Sequence, residues 1–188
     1  MPKGVVVWLT GLSGAGKTTI SRIAAKQLRE SGYKTAVLDG DAVRAKLSPD
    51  LGFSVADRWE NIRRVSRIAK FLAGQGVIVL AAFIAPYRAM REYCRLELDP
   101  FIEVYVRCSL EECMRRDVKG LYQKAKKGAI RQLTGVDAPF EEPDHPELIL
   151  DTEQESPQRC AAKLLAYLVH AGVIDARPPG PSDRAERD

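Results

Sequence analysis

Gly11-Leu12-Ser13-Gly14-Ala15-Gly16-Lys17-Thr18 follows the apolar run Val5-Val6-Val7-Trp8-Leu9 and precedes Thr19–Arg29, a segment compatible with a helix. A strand, a glycine-rich loop of the form G-x-x-x-x-G-K-[ST] and a helix in this order make a phosphate-binding loop. Polyphosphate oxygens must be met by several backbone N–H groups at once. The loop therefore needs residues that tolerate unusual φ and present no Cβ to the ligand. The helix that follows aims its positive dipole end at the same phosphates. Gly11, Ser13, Gly14, Ala15, Gly16, Lys17, Thr18 and Thr19 are thus the expected ATP contacts. Lys17 is expected to meet the β- and γ-phosphates, and the Thr18 hydroxyl to ligate Mg²⁺.

The remaining chain alternates strand and helix. Strands are expected at Thr35–Leu38, Val77–Phe83, Phe101–Val106 and Leu148–Leu150, besides Val5–Leu9. Helices are expected at Thr18–Glu30, Ala56–Ala73, Pro86 to about Leu98, Leu110–Arg116 and Pro157–His170, with a mixed segment after Asp41. Five strands separated by helices predict an α/β fold: a parallel five-stranded sheet with helices on both faces, the three-layer P-loop nucleoside-triphosphate hydrolase architecture. Ligands of such sheets lie beyond the carboxyl ends of the strands. That rim carries Gly11–Thr18, Asp39–Arg44 and Phe83–Arg88.

Composition agrees with a single domain. The chain has 188 residues, 45% of them apolar and 29% charged, with a formal net charge of +4. This suffices for a core without structural metal or disulfides. Cys94, Cys108, Cys113 and Cys160 show neither zinc-site spacing nor a disulfide framework, and read as reduced packing residues. No run is long enough to span a bilayer, and no secretory start is visible, so the expectation is a cytoplasmic protein. One domain is expected over 1–174, with a disordered tail over 175–188 that is rich in Pro and charge. Between Arg115 and Arg131, seven Lys or Arg stand against the single Asp117. Such a cluster suits nucleic acid or a small polyanion equally. Segment 115–144, polar and rich in Gly and Pro, reads as a lid.

The rim residues suggest chemistry. Asp39 and Asp41 follow a strand two residues apart. No aspartate closes the strand Val77–Phe83, so Asp39 is the best acid to organise a metal together with Thr18. Either Asp39 or Asp41 suits a base at an acceptor hydroxyl, although aspartates also favour turns and caps. Arg44, Arg58, Arg63, Arg64 and Arg67 include guanidinium forks suited to phosphate or sulfate oxygens, and some of them are merely solvated. Phe53, between charged stretches, suits base stacking or core packing.

These blocks together resemble the adenylylsulfate kinases: Gly11–Thr18, Leu38-Asp39-Gly40-Asp41 with Arg44, Asp50-Leu51-Gly52-Phe53-Ser54, Asp57-Arg58, Glu60-Asn61-Ile62-Arg63-Arg64-Val65, Phe83-Ile84-Ala85-Pro86-Tyr87-Arg88, Arg116-Asp117-Val118-Lys119-Gly120-Leu121-Tyr122 and Thr134-Gly135-Val136-Asp137. The likeness runs in order from about Gly4 to Leu150. It implies transfer of the γ-phosphoryl of ATP, with Mg²⁺, to the 3′-hydroxyl of adenylylsulfate. By the same resemblance, Asp39 and Asp41 serve the acceptor hydroxyl and the metal. Arg44, Arg58 and Asn61 hold phosphosulfate and ribose, Phe53 walls the adenine, and Ile84 with Ala85 lies beside this substrate. Lys119 and Leu121 open the lid, and Arg115 and Arg116 approach ATP. Ala85 stands where a serine is usual, Leu133 where a second aromatic wall is common, and Ala42 and Ala45 where Asn and His are common. The partners implied are small molecules, with no nucleic acid and no membrane. A homodimer and functional coupling to ATP sulfurylase are arrangements this reading admits. Another small-molecule P-loop kinase is the alternative. A GTP switch is disfavoured by the lack of an N-K-x-D motif.

Overall fold

The computed structural model describes residues 4–176; the expected tail from Arg177 onward lies outside the described residues. Five strands, β1 (Val5–Thr10), β2 (Thr35–Asp39), β3 (Ile78–Ala82), β4 (Phe101–Arg107) and β5 (Leu148–Asp151), form one sheet in the order β2-β3-β1-β4-β5. All pairings are parallel, with Leu9 opposite Ala82 and Val104, and Asp39 opposite Ala82. The helices are α1 (Lys17–Glu30), α2 (Gly40–Leu47), α3 (Val55–Gly74), α4 (Arg88–Glu97), α5 (Leu110–Arg116), α6 (Leu121–Lys126) and α7 (Pro157–His170).

β1 is apolar at every position before Thr10 because both its faces are covered. Val5, Val7 and Leu9 share one core layer with Ile20, Ala24 and Leu28 of α1 and Leu164 and Leu168 of α7. Val6 and Trp8 face the other layer, with Ile62, Val65 and Ala69 of α3 and Met90 and Cys94 of α4. The four cysteines are buried free thiols, as expected of packing residues. Serine hydroxyls start three helices: Ser54 accepts from the Asp57 amide, Ser109 from Glu112 and Ser156 from Arg159.

Three expectations need correction. The mixed segment after Asp41 is the helix α2, which the Asp39 side chain caps by accepting from the Asp41 and Ala42 amides. α4 opens at Arg88 with Tyr87 as its N-cap, two residues later than Pro86 suggested. Asp175, assigned to the tail, is tied to the body: its amide donates to Tyr33 Oη at 2.7 Å. Between α6 and β5, residues 127–147 contain no strand or helix; an isolated bridge pairs Thr134 with Ala138.

Candidate active site

β1 delivers the chain to Gly11, whose φ of 146° belongs to glycine and whose missing Cβ would lie 2.4 Å from the Val106 carbonyl oxygen. The loop's carbonyls are held by side chains. Lys17 Nζ donates to the Gly11 and Leu12 carbonyls at 2.7 Å each. Tyr122 Oη, from α6, donates to Ser13 at 2.8 Å, and Thr152 Oγ1, just beyond β5, donates to Ala15 at 2.9 Å. In a trans peptide the following N–H points the opposite way. The Gly14 and Gly16 amides are therefore turned to the face of the loop away from Tyr122 and Thr152. Lys17 is buried, which lowers its pKa to about 8, with the nearby Lys119 charge acting in the same direction.

A second group gathers over the carboxyl ends of β1 and β2. Thr18 Oγ1 donates to Asp39 Oδ2 at 2.6 Å, while Asp39 Oδ1 accepts the two cap amides at 3.2 Å. Burial raises the Asp39 pKa, but the Thr18 hydroxyl, the backbone donors and the Lys119 charge outweigh it, and the net direction is down. Lys119, from the basic segment, forms an ion pair with Asp41. The segment 115–144 thus reaches the rim that carries Asp39 and Asp41. Thr19 is exposed beside Thr18.

The arginines divide by partner. Arg44 donates to the Gly52 carbonyl at 2.6 Å and lies 4.6 Å over the Phe53 ring. Phe53 is 54% exposed, which decides against core packing. Arg58 spends its fork inside the protein, donating to the Phe53 carbonyl at 3.0 Å, Thr134 Oγ1 at 2.9 Å and the Gln132 carbonyl at 2.6 Å. It clamps the stretch Gln132–Thr134 to α3, a role its sequence position did not reveal. Arg63 and Arg67 are exposed, and Arg64 pairs with Asp50 at 2.7 Å. Asn61 is 5% exposed, and its Oδ1 has no protein donor. An acceptor buried this way suits a ligand donor.

Ile84 and Ala85 form the turn after β3. Thr10 Oγ1 donates to the Ile84 carbonyl at 2.6 Å, and Arg91 Nη1 to the Ala85 carbonyl at 2.6 Å. Leu133 is buried in the core layer of α1 and α7, so here it packs inward rather than standing as an open wall. Leu121 also packs against that core. Arg115 is exposed and pairs with Glu112 at 2.6 Å. Arg116 shares that carboxylate and donates to the Thr152 carbonyl at 2.6 Å, which sets it behind the phosphate loop. Tyr122, Thr152 and Arg91 were not foreseen as site residues. Tyr122 lies within a quoted family block, whereas Thr152 and Arg91 carried no local signal.

A phosphate loop on β1, a hydroxyl–carboxylate pair on the carboxyl rim and a basic segment folded over both define a P-loop kinase, an enzyme that phosphorylates a hydroxyl. A family model described as adenylylsulphate kinase matches residues 3–151, and the chain belongs to that family. An adenylyl-sulfate kinase of Synechococcus sp. (strain JA-3-3Ab) is 53% identical over 172 residues, 92% of this chain and 98% of the relative. One from Halothermothrix orenii is 51% identical over 173 residues, 92% of this chain and 94% of the relative. Among solved structures, the Mycobacterium tuberculosis APS kinase in complex with AMPPNP and APS superposes with a TM-score of 0.86 at 42% identity, covering 89% of this chain and 99% of that one. No helix among the described residues is long and apolar enough to cross a membrane.

Proposed function

We propose that this chain transfers the γ-phosphoryl of ATP to the 3′-hydroxyl of adenylylsulfate, releasing 3′-phosphoadenylylsulfate and ADP. The observation that carries the reading is the Thr18–Asp39 contact beside Lys17, with Asp41 and Lys119 next to it. The M. tuberculosis relative solved with AMPPNP and APS supports the substrate pair.

The loop amides and Lys17 bind the triphosphate and offset charge on the transferring group. Thr18 and Asp39 offer hard oxygen donors of the kind Mg²⁺ takes alongside substrate phosphates, and they are the residues that would hold it. The ion would supply charge neutralisation on the phosphate oxygens. Asp41, paired with Lys119, is the candidate acceptor for the hydroxyl proton, with Asp39 beside it. Phe53 offers an exposed ring for the acceptor adenine, Asn61 Oδ1 a buried acceptor for a substrate donor, and Arg44 the cation beside that ring. Arg58 serves the same substrate by fixing Phe53 and the segment Gln132–Thr134. Arg116 supports the phosphate loop from behind through Thr152, and Arg115, at the exposed end of α5, is the one of the two left to approach ATP. The segment 115–144, drawn in by Lys119, Arg58 and Tyr122, excludes water that would hydrolyse ATP. Ala85 has no hydroxyl to carry phosphate, which rules out a phosphoserine route at that position and leaves direct in-line transfer as the reading.

The test is ADP release in a coupled assay with adenylylsulfate beside a panel of sugars, shikimate and nucleoside monophosphates. Turnover with adenylylsulfate alone is expected. Preference for another acceptor overturns the reading in favour of a different small-molecule kinase.

A further inference from the structure

Arg91 is a buried cation on α4 that the reaction described above does not use. Its side chain is 3% exposed, and its Nε stands 2.8 Å from Oε1 of Glu103, itself only 8% exposed. Nη1 donates to the Ala85 carbonyl at 2.6 Å, and Nη2 donates to the Glu141 carbonyl at 2.6 Å. One planar group therefore holds three elements in register: β4, the turn after β3, and the stretch by which the lid returns toward β5.

The two carbonyls are not incidental partners. Ala85 is a non-glycine residue at φ 41°, a conformation that persists only where its surroundings over-determine it. Thr10 and Arg91 hold the carbonyls on either side of that strained residue's own Cα, at Ile84 and Ala85. Glu141 is joined to the same turn by further contacts: its amide donates to the Pro86 carbonyl at 2.8 Å, and its Oε2 accepts from the Arg88 amide at 2.7 Å. Arg88 Nε also donates to the Glu142 carbonyl at 2.9 Å. The turn and the lid's return stretch are zipped together, with Arg91 at the buried end of the zipper.

We propose that Arg91 is a positioning residue for the acceptor: it couples the Ile84–Ala85 backbone to the lid's return stretch, so that the two hold or lose their geometry together. The proposal deepens the functional reading above and rests on it for the identity of the acceptor. Lysine in place of arginine keeps the charge beside Glu103 but cannot span two carbonyls with a rigid fork.

The experiment compares Arg91→Lys with Glu103→Gln, which weakens the ion pair and leaves the fork intact. In wild type and both variants, amide hydrogen exchange is followed at 84–88 and 139–144, and KM is measured for each substrate. In Arg91→Lys, exchange is expected to accelerate in both stretches together, with the phosphate loop and β1 unchanged. The kcat/KM for adenylylsulfate is expected to fall by roughly ten- to a hundred-fold, the scale of a small misplacement at a reacting group, and KM for ATP to change less than about twofold. Exchange that accelerates in only one stretch, or in neither, overturns the coupling. Equal loss for both substrates, or the same substrate bias in Glu103→Gln, reduces Arg91 to a structural ion-pair partner. A Glu103→Gln protein that does not fold leaves Arg91→Lys to decide alone. If the wild type does not use adenylylsulfate, the functional reading falls, and the exchange data still judge the coupling.

Discussion

Thr18 Oγ1 and Asp39 Oδ2 are 2.6 Å apart, a contact that joins the phosphate loop to the end of β2 across the intervening strand β3. The same carboxylate caps α2 through its other oxygen. Asp39 therefore meets Thr18 and caps α2 with separate atoms, and substitutions can separate the two contacts.

Asp39→Asn keeps an oxygen for the cap and removes the charge. Asparagine caps as well as aspartate, so stability is expected to change by less than about 0.5 kcal/mol. Turnover is expected to fall by about 10²–10³, the loss typical of one electrostatic contact to the transition state. Asp39→Ala loses both, and denaturant unfolding is expected to show a further cost of about 0.5–2 kcal/mol. Equal activity in Asp39→Asn and wild type removes Asp39 from the chemistry.

Lys17 provides a test in pH. Burial lowers its pKa from 10.5 to about 8. Between those values the unfolded chain binds more protons at this site than the folded one, so this group makes stability rise with pH across that window. Below pH 8 both states are protonated, and its contribution is constant. Cys94 and Cys113, pushed up to about 12 by burial, act in the opposite direction at alkaline pH. The informative quantity is therefore the difference between wild type and Lys17→Met. Unfolding free energies are expected to show wild type gaining on the variant from pH 8 to 10, and a flat difference contradicts the buried, shifted ammonium. Turnover of Lys17→Met is expected to be lost by at least about 10²-fold.

The parts legible in the sequence are those whose physics is local. Gly11–Thr18 could be read because phosphate binding needs contiguous amides, and β1 because a strand covered on both faces is apolar throughout. α2 was not legible. It opens on Gly40, buries only Val43, and depends on the Asp39 cap rather than on an amphipathic face. Arg58 and Arg91 were unreadable for a different reason. Their partners Thr134 and Glu141 lie 76 and 50 positions away, and a pattern of faces does not say which distant carbonyl a guanidinium will meet. Leu133 illustrates the same gap. The position where the resemblance leads one to expect a second aromatic wall holds a leucine that the core absorbs.

Ala85 yields a prediction about the route. Its side chain is buried and carries no nucleophile, so incubation with γ-labelled ATP alone is expected to leave no stable label on the protein. A stoichiometric phosphoprotein that passes its label to adenylylsulfate contradicts direct transfer.

The last prediction separates a residue that touches the acceptor from one that supports it. Phe53 is more than half exposed, and Arg44 lies over its ring. Removing an exposed ring costs little stability, so Phe53→Ala is expected to unfold within about 0.5 kcal/mol of wild type. If an adenine stacks there, KM for adenylylsulfate rises by an amount equivalent to about 1–3 kcal/mol, with KM for ATP nearly unchanged. Arg58→Lys is expected to behave differently. Three of its N–H groups hold Phe53, Thr134 and Gln132, and a lysine ammonium cannot meet all three in their present geometry. Leaving buried acceptors unpaired costs about 1–3 kcal/mol, so Arg58→Lys is expected to lower stability before any substrate is added. It is also expected to raise KM for adenylylsulfate, because the wall residue and the lid are held by the same fork. Thermal unfolding without ligand, together with both Michaelis constants, decides the division. A fully stable Arg58→Lys with a selective KM defect returns Arg58 to direct substrate contact. Unchanged constants in Phe53→Ala remove the stacking wall.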